Sequence, residues 1–300
     1  MLKKNKKEST AHYALRVLWR IIKKIISYTS YVKYYLVRPK LKPGNNEPPI
    51  TISFTTYPAR VKWLPIVVGS IVRQKRRPDR IVLYLSKSQF STLNKRVFKL
   101  ISKQGVQIKL KDDDLRSHKK YIYAMNEYSN DIIITIDDDI VYDKNMIDDL
   151  YQSYRRHPNA VSAKRVHRIK FTDDKEPKPY KEWDIATQEI IDKPSFQLVA
   201  TGCGGILYPP NCLDDRFIDV QTIKKTCLYA DDLWLKIMEL FNNTPVVLAT
   251  SYRHKLEHVW NTECDGLALD NVGSRGNDVQ LQNICEHYEA NLYTLVQQLK

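Results

Sequence analysis

The stretch "DIIITIDDDI" (Asp131–Ile140) runs Ile132–Ile136 without a charged or strongly polar break and then places three carboxylates in a row. A strand wetted on one face alternates apolar and polar residues. An unbroken apolar run belongs to a strand covered on both faces, as in a parallel sheet between layers of helices. The aspartates then fall at the carboxyl end of that strand, where open α/β sheets bind their ligands.

Strands and helices alternate on either side of this run. Upstream, "ITISFT" (Ile50–Thr55) reads as a strand with "YPAR" as its turn, and Val61–Gln74 has helical spacing. "RIVLYLS" (Arg80–Ser86) is a second strand, and residues 91–105 read as one helix from a Ser91 N-cap to a Gly105 stop. "VQIKL" (Val106–Leu110) is a third strand. Downstream come a helix to about His157, a strand over Ala160–Val166, and the long polar stretch Thr172–Pro194, whose length is commonly functional. "FQLVATGCGGILYPP" (Phe196–Pro210) returns to strand character broken by glycines. "DDLWLKIMELFNN" (Asp231–Asn243) is an amphipathic helix, and "PVVLAT" (Pro245–Thr250) is a last strand. Asn277–Leu299 reads as one helix with Val279, Ile284, Tyr288, Leu292, Leu295 and Leu299 near one face. Such alternation predicts an α/β fold with a mostly parallel sheet.

The 300 residues are 43% hydrophobic and 27% charged, a globular balance, and nine glycines with fourteen prolines exclude collagen-like classes. Five cysteines without a CxxC pair argue against a disulfide scaffold or structural zinc, and for a reducing compartment. The formal charge of +14 is an N-terminal property. Residues 1–42 carry twelve Lys/Arg against the single acid Glu8, leaving the other 258 residues at only +3. A nucleic-acid binder would want that basicity on the folded domain.

From Ala14 to Ser27, Leu15, Leu18, Trp19, Ile22, Ile25 and Ile26 share a helical face, while Arg16, Arg20, Lys23 and Lys24 collect opposite. Tyr28, Tyr31, Tyr34 and Tyr35 follow, interleaved with Lys33 and Arg38. No run approaches the ~20 apolar residues of a spanning helix, and the pattern is not that of a signal peptide. The expectation is an amphipathic helix in the headgroup layer of an anionic cytoplasmic leaflet, making the protein cytoplasmic and peripheral to the inner face of the membrane. The other reading is a terminal helix docked on the domain. The predicted organisation is a basic segment and linker (1–47), a catalytic domain (48–250) and a C-terminal loop and helix (251–300).

Three acidic sets carry the chemistry. With a strand's two-residue period, Asp137 and Asp139 face one side together, where two like charges want a cation between them. Oxygen ligands select Mg²⁺ or Mn²⁺, ions that also bridge phosphates; the other reading is a solvated turn. Asp231 and Asp232 open an amphipathic helix, either as an N-cap pair or as acids beside the Gly202, Gly204 and Gly205 turn, where a carboxylate would act as general base. Asp112–Asp114, with Lys119 and Lys120 shortly after, lie at another strand end, suited to a nucleobase, ribose or phosphate.

A strand running into "TTYPAR", a "DDD" after a buried strand, a glycine turn and a "DD" helix start resemble the GT-A nucleotide-sugar glycosyltransferases, closest to the bacterial, family-2-like enzymes of cell-surface polysaccharide synthesis. The likeness spans most of Ile50–Thr250. It implies a GT-A, Rossmann-like sheet flanked by helices, with an N-terminal amphipathic helix and a C-terminal helical extension. By that likeness Asp137 contacts ribose or sugar and shares the metal with Asp139, with Asp138 on the donor side. Asp232 is the catalytic base, with Asp231 its neighbour. Thr55, Tyr57, Arg60, Asp113 and Lys120 line the nucleotide pocket, and Gly204 and Gly205 lie near donor sugar and acceptor. His258 or His254 completes the Mn²⁺ or Mg²⁺ site, and "GNDVQ" (Gly276–Gln280) either closes over the site or starts the last helix with Asn277 as cap.

The implied activity is metal-dependent, inverting transfer of one sugar from a nucleoside-diphosphate sugar, a uridine diphosphate sugar being favoured, to a glycan or lipid-linked acceptor. The Q/RxxRW motif of processive synthases is absent. Rival readings are a metal-dependent phosphohydrolase or nuclease, and a non-catalytic membrane-peripheral binding module.

Overall fold

The computed structural model describes residues 39–251, 257–259 and 276–297, together with Tyr13, Leu15, Leu18, Trp19, Ile22, Ile25, Thr29 and Tyr34, which are helical. His254, Cys264, Leu299 and the basic positions Arg16, Arg20, Lys23 and Lys24 lie outside the described residues.

In chain order, β1 (Ile50–Thr55) leads to α1 (Leu64–Val72), β2 (Arg80–Ser86), α2 (Lys87–Thr92), α3 (Lys95–Lys103), β3 (Val106–Lys111), α4 (Lys119–Glu127) and β4 (Ile132–Thr135). The two-residue β5 (Ile140–Val141) precedes α5 (Met146–Arg156), β6 (Val161–Ala163), β7 (Val166–Arg168), β8 (Leu198–Ala200) and β9 (Ile206–Tyr208). Then follow α6 (Val220–Thr226), α7 (Asp231–Phe241), β10 (Val246–Leu248), β11 (Glu257–His258), α8 (Gly276–His287) and α9 (Leu292–Gln297).

Seven strands form one sheet in the order β10–β6–β9–β4–β1–β2–β3. β3, β2, β1 and β4 run parallel. β9 is antiparallel to both β4 and β6, and β10 is parallel to β6. Two small antiparallel ribbons, β5–β11 and β7–β8, stand beside it.

The two-residue period distributes each strand between two cores. Ile50, Ile52 and Phe54 of β1 and Ile81, Leu83 and Leu85 of β2 pack with α1 and α3, whereas Val82 and Tyr84 join α4 and α7 on the other face. In β4, Ile132 and Ile134 face the first layer and Ile133 the second. Burial on both faces is the reason this strand carries no polar alternation.

Four local expectations are corrected. Residues 91–105 are not one helix: Leu93 is extended, and Asn94 caps α3 by accepting the Arg96 N–H at 3.0 Å. Ser91, expected as the cap, lies inside α2 and its hydroxyl donates to the Ser88 carbonyl at 2.7 Å. Gly105 ends α3 at φ +104, where a side chain would be strained. The strand expected over Ala160–Val166 breaks into β6 and β7 around Lys164, whose N–H donates to the Gly205 carbonyl at 3.2 Å. The last helix breaks into α8 and α9 at Glu289 (φ 49), and Val279, about 140° around α8 from the buried Ile284, is 54% exposed. Asn277 lies inside the first turn of α8 and is not its cap.

Candidate active site

β1 and β4 are neighbours in register, Ser53 opposite Thr135, so the residues following them emerge side by side at the carboxyl edge. There the aspartate trio divides. Thr56 Oγ1 donates to Asp138 Oδ2 at 2.5 Å, and Arg60 bridges Asp138 Oδ1 at 2.8 Å and Asp139 Oδ2 at 3.1 Å. The guanidinium also stands 5.1 Å from the Tyr57 ring. Burial pushes the Asp138 carboxyl up to about 6, with Arg60 and Thr56 pulling the other way and Asp139 adding to the rise.

Asp137 turns to a different cation. Lys120 Nζ, buried at the start of α4, lies 3.0 Å from Asp137 Oδ1 and 3.0 Å from Asp231 Oδ2. Burial alone would lower its pKa. Asp137, Asp231 and Asp232 overcome that and hold it well above its ordinary value, so the ammonium stays charged. The Ser53 hydroxyl donates to the Lys120 carbonyl and ties this turn to β1. One turn earlier, His118 Nε2 faces the Cys227 carbonyl at 2.8 Å; a carbonyl only accepts, so Nε2 carries the proton and Nδ1 accepts from the Tyr121 hydroxyl at 2.6 Å. Burial lowers His118 to about 4, so this link between α4 and the approach to α7 is neutral.

Asp231 and Asp232 both occupy the first turn of α7. Its N-cap is Ala230, without a side-chain cap, so neither aspartate caps the helix. Burial would raise Asp231, but Lys120 holds it below the usual carboxylate value. Asp232 moves the opposite way: burial, then repulsion from Asp231, push it up against the pull of Lys120. Its Oδ2 accepts the Gly202 N–H at 3.5 Å, while its buried Oδ1 has no hydrogen-bond partner among the described residues. A Cβ on Gly202 would stand 2.8 Å from Lys120 Nζ and 3.1 Å from Asp137 Oδ1, so a side chain there would push on the clamped ammonium.

The two acidic sets expected at separate points of the chain therefore meet around Lys120 and Gly202. Other expected site residues have partners of their own. Asp137 and Asp139 do not share a partner, because β4 ends at Thr135 and the trio lies on a turn where the strand period no longer applies. Thr55 is still in β1 and donates to the Tyr84 carbonyl at 2.9 Å; Thr56 is the threonine that reaches the acids. Asp113 is half-exposed and paired with Lys224 at 2.8 Å, Asp112 pairs with Lys87, and Asp114 pairs with Lys119. A Cβ on Gly204 would meet Lys164 and Arg165 between β6 and β7, and one on Gly205 (φ +89) would meet Met146 of α5.

β11 pairs with β5, and the Val259 N–H donates to the Asp139 carbonyl at 2.7 Å, which pins His258 beside the acidic turn. His258 Nδ1 is buried without a hydrogen-bond partner among the described residues and lies 3.9 Å from Asp139 Oδ2. An imidazole nitrogen left open toward a carboxylate oxygen fits a divalent cation. These are two protein donors, and among the described residues no cluster of three His, Cys, Asp or Glu is assembled. Mg²⁺-type ions commonly take only one or two carboxylates and complete their shell with phosphates and water.

Sequence reading missed Thr56, His118 and Tyr180. Tyr180 comes from the long polar stretch, which was the available signal; burial and then the nearby Asp232 raise its phenol. Its backbone N–H donates to Asp278 Oδ1 of α8 at 2.6 Å, so the loop is strapped to the C-terminal helix.

The sequence profile of glycosyl transferase family 2 matches residues 51–208, more than half of the chain. No curated protein matches it. Among solved structures, a mannosyltransferase from Pyrobaculum calidifontis in complex with GDP-mannose and Mn²⁺ aligns at 11% identity and TM-score 0.50, covering 93% of this chain and 80% of that one. A CMP:2-keto-3-deoxy-manno-octonic acid synthetase complexed with CTP aligns at 13% identity and TM-score 0.43, covering 77% of this chain and 98% of that one. At such identities the structural likeness is one of fold: a GT-A, Rossmann-like sheet flanked by helices. With the profile match spanning β1 to β9, the chain belongs to glycosyl transferase family 2 and is a glycosyltransferase.

Proposed function

We propose that the enzyme moves a single sugar from a nucleoside-diphosphate sugar to a hydroxyl of a glycan or lipid-linked acceptor, with inversion, in the synthesis of a bacterial surface polysaccharide such as capsule, O-antigen or lipooligosaccharide. The observation that carries this reading is the meeting of Asp137, Asp231 and Asp232 around Lys120 and Gly202. Uridine diphosphate sugars are the first donors to test.

Asp232 would take the acceptor proton. Its raised pKa makes it a stronger base than an ordinary carboxylate, and its unpartnered Oδ1 is free to accept. Asp231, held ionised by Lys120, keeps that basicity high by repulsion. The Cys203 thiol nearby is pushed up to about 11 by burial and stays protonated near neutrality, which supports one displacement over a covalent intermediate on this residue. Arg60 and Lys120 bring positive charge to the donor side of the acids. Asp139 Oδ2 and His258 Nδ1 would hold Mn²⁺ or Mg²⁺, which when bound supplies Lewis-acid neutralisation of the departing diphosphate.

The test is donor consumption with and without candidate acceptors, for the native enzyme and Asp232→Asn. The expected result is acceptor-dependent consumption that falls on the order of 10²-fold or more in the variant, with donor affinity retained. Equal consumption without any acceptor would replace transfer by hydrolysis, and full transfer by the variant would move the base elsewhere.

A further inference from the structure

We propose that the chain docks on an anionic lipid bilayer through one face built from its N-terminal helix and the basic corner Lys75–Arg77. This inference stands apart from the catalytic reading and holds whether or not Asp232 is the base.

The described positions of the N-terminal helix leave large apolar side chains in water: Leu15 is 62% exposed, Leu18 52%, Trp19 59%, Ile22 37% and Ile25 57%. At 3.6 residues per turn these five fall within an arc of about 120°, a continuous stripe and not scattered exposure. Contiguous apolar patches on soluble chains mark interaction sites. A tryptophan in such a stripe suits the boundary between headgroups and acyl chains.

Tyr34, the last described helical position of this segment, is anchored on the domain. The Tyr34 ring lies against Gly69 of α1, where a Cβ would stand 2.8 Å from Tyr34 Cβ, and the Arg73 guanidinium sits 4.9 Å from the ring centre. Arg73 directly follows α1 and leads into Lys75, Arg76 and Arg77. Arg76 is structural, paired with Asp148 at 3.0 Å and lying 3.9 Å from the Tyr151 ring centre. Lys75 and Arg77 are exposed and line an open cavity of about 480 Å³ together with Pro43, Gly44, Asn46 and the Arg76–Asp148 pair, whose charges offset each other. The anchorage thus joins the helix to a basic corner of the domain.

Charge chooses the occupant. With +11 in residues 1–42, a second copy of the chain would bring like charge against like. An anionic leaflet offers apolar depth to the stripe and phosphate to the lysines and arginines. No helix among the described residues is long and apolar enough to cross a membrane, so this helix would lie in the interface plane.

The full chain is to be sedimented with vesicles of phosphatidylglycerol and phosphatidylcholine, and with vesicles of phosphatidylcholine alone. Binding is expected only to the anionic vesicles and should weaken as salt rises. The pair Trp19→Glu with Ile22→Glu, and separately Lys75→Glu with Arg77→Glu, should each lower the partition at least about tenfold. Unchanged thermal unfolding and unchanged transfer to a soluble acceptor would show that fold and catalysis survive. The proposal is overturned if the native chain ignores anionic vesicles, if it binds neutral ones equally well, or if either pair leaves partition unchanged. It is also overturned if Trp19→Glu with Ile22→Glu dissolves a stable dimer and leaves vesicle binding as it was, which would make the stripe an interface between copies.

Discussion

Lys120 Nζ and Asp231 Oδ2 lie 3.0 Å apart in the interior, and the same ammonium stands 3.0 Å from Asp137. One buried cation thereby joins a turn after β4 to the first turn of α7, 94 positions apart in the chain between Asp137 and Asp231. Its electrostatic consequence is asymmetric. Asp231 is held low, and Asp232, raised first by burial and then by the repulsion of Asp231, moves the other way.

That asymmetry fixes the sign of a pH experiment. A general base works only when ionised, so the acid limb of kcat/KM should lie well above the ordinary carboxylate range. Asp231→Asn removes the like charge and frees Lys120 to attract Asp232, and both effects move the limb to lower pH. Lys120→Met removes the attraction and moves it to higher pH. Limbs that coincide in all three proteins would dissociate Asp232 from the limb.

Gly202→Ala should damage catalysis more than folding. The added methyl meets a clamped ammonium at 2.8 Å, and displacing that ammonium misplaces two acids at once. A loss on the order of 10²-fold in kcat/KM is expected, with a small shift in thermal unfolding. Equal activity would mean that the Lys120 clamp yields without consequence.

Asp139→Ala and His258→Ala should each remove the Mn²⁺-dependent part of nucleoside diphosphate affinity. Titration calorimetry with and without the ion, and after chelation, reads that increment directly. An increment unchanged in both variants would place the ion on other donors.

On α7, Lys236 and Glu239 form a fully buried pair at 3.3 Å. Lys236→Met should destabilise the fold by about 3–5 kcal/mol, while Lys236→Met with Glu239→Leu should restore most of it. Burial raises Glu239 from 4.5 to about 7 even beside Lys236. The folded state therefore holds that proton where the unfolded state has lost it. Stability of the single variant should fall as pH rises from 4.5 toward and beyond 7, measured by urea unfolding. A flat profile would show that Glu239 is not titrating in the fold.

Much of the sheet was readable because burial on both faces leaves a plain mark, as in Ile132–Ile136. The direction of β9 was not. Composition is the same for parallel and antiparallel strands, and only pairing with β4 and β6 reveals it. Ser91 and Asn94 are comparable caps on propensity, and the extended backbone of Leu93 decided between them. In the site, the acids announced themselves by type and position. Lys120 was singled out only as a phosphate or nucleotide partner beside Asp112–Asp114, since its place between Asp137 and Asp231 shows only when two distant carboxylates reach it. Thr55 and Thr56 differ by a single step at a strand end, a margin below what sequence pattern resolves.

The hydrogen bond from Tyr180 to Asp278 joins two segments lying on opposite sides of Asp231 and Asp232 in the chain, one of them beyond the family-2 match. On the proposed reading, recognition of the incoming alcohol would fall to this cross-braced pair of segments, which can diverge in length and side chains without disturbing the strands beneath. Relatives keeping the Asp137–Lys120–Asp231 frame but carrying a different brace are expected to share a donor and differ in what they glycosylate.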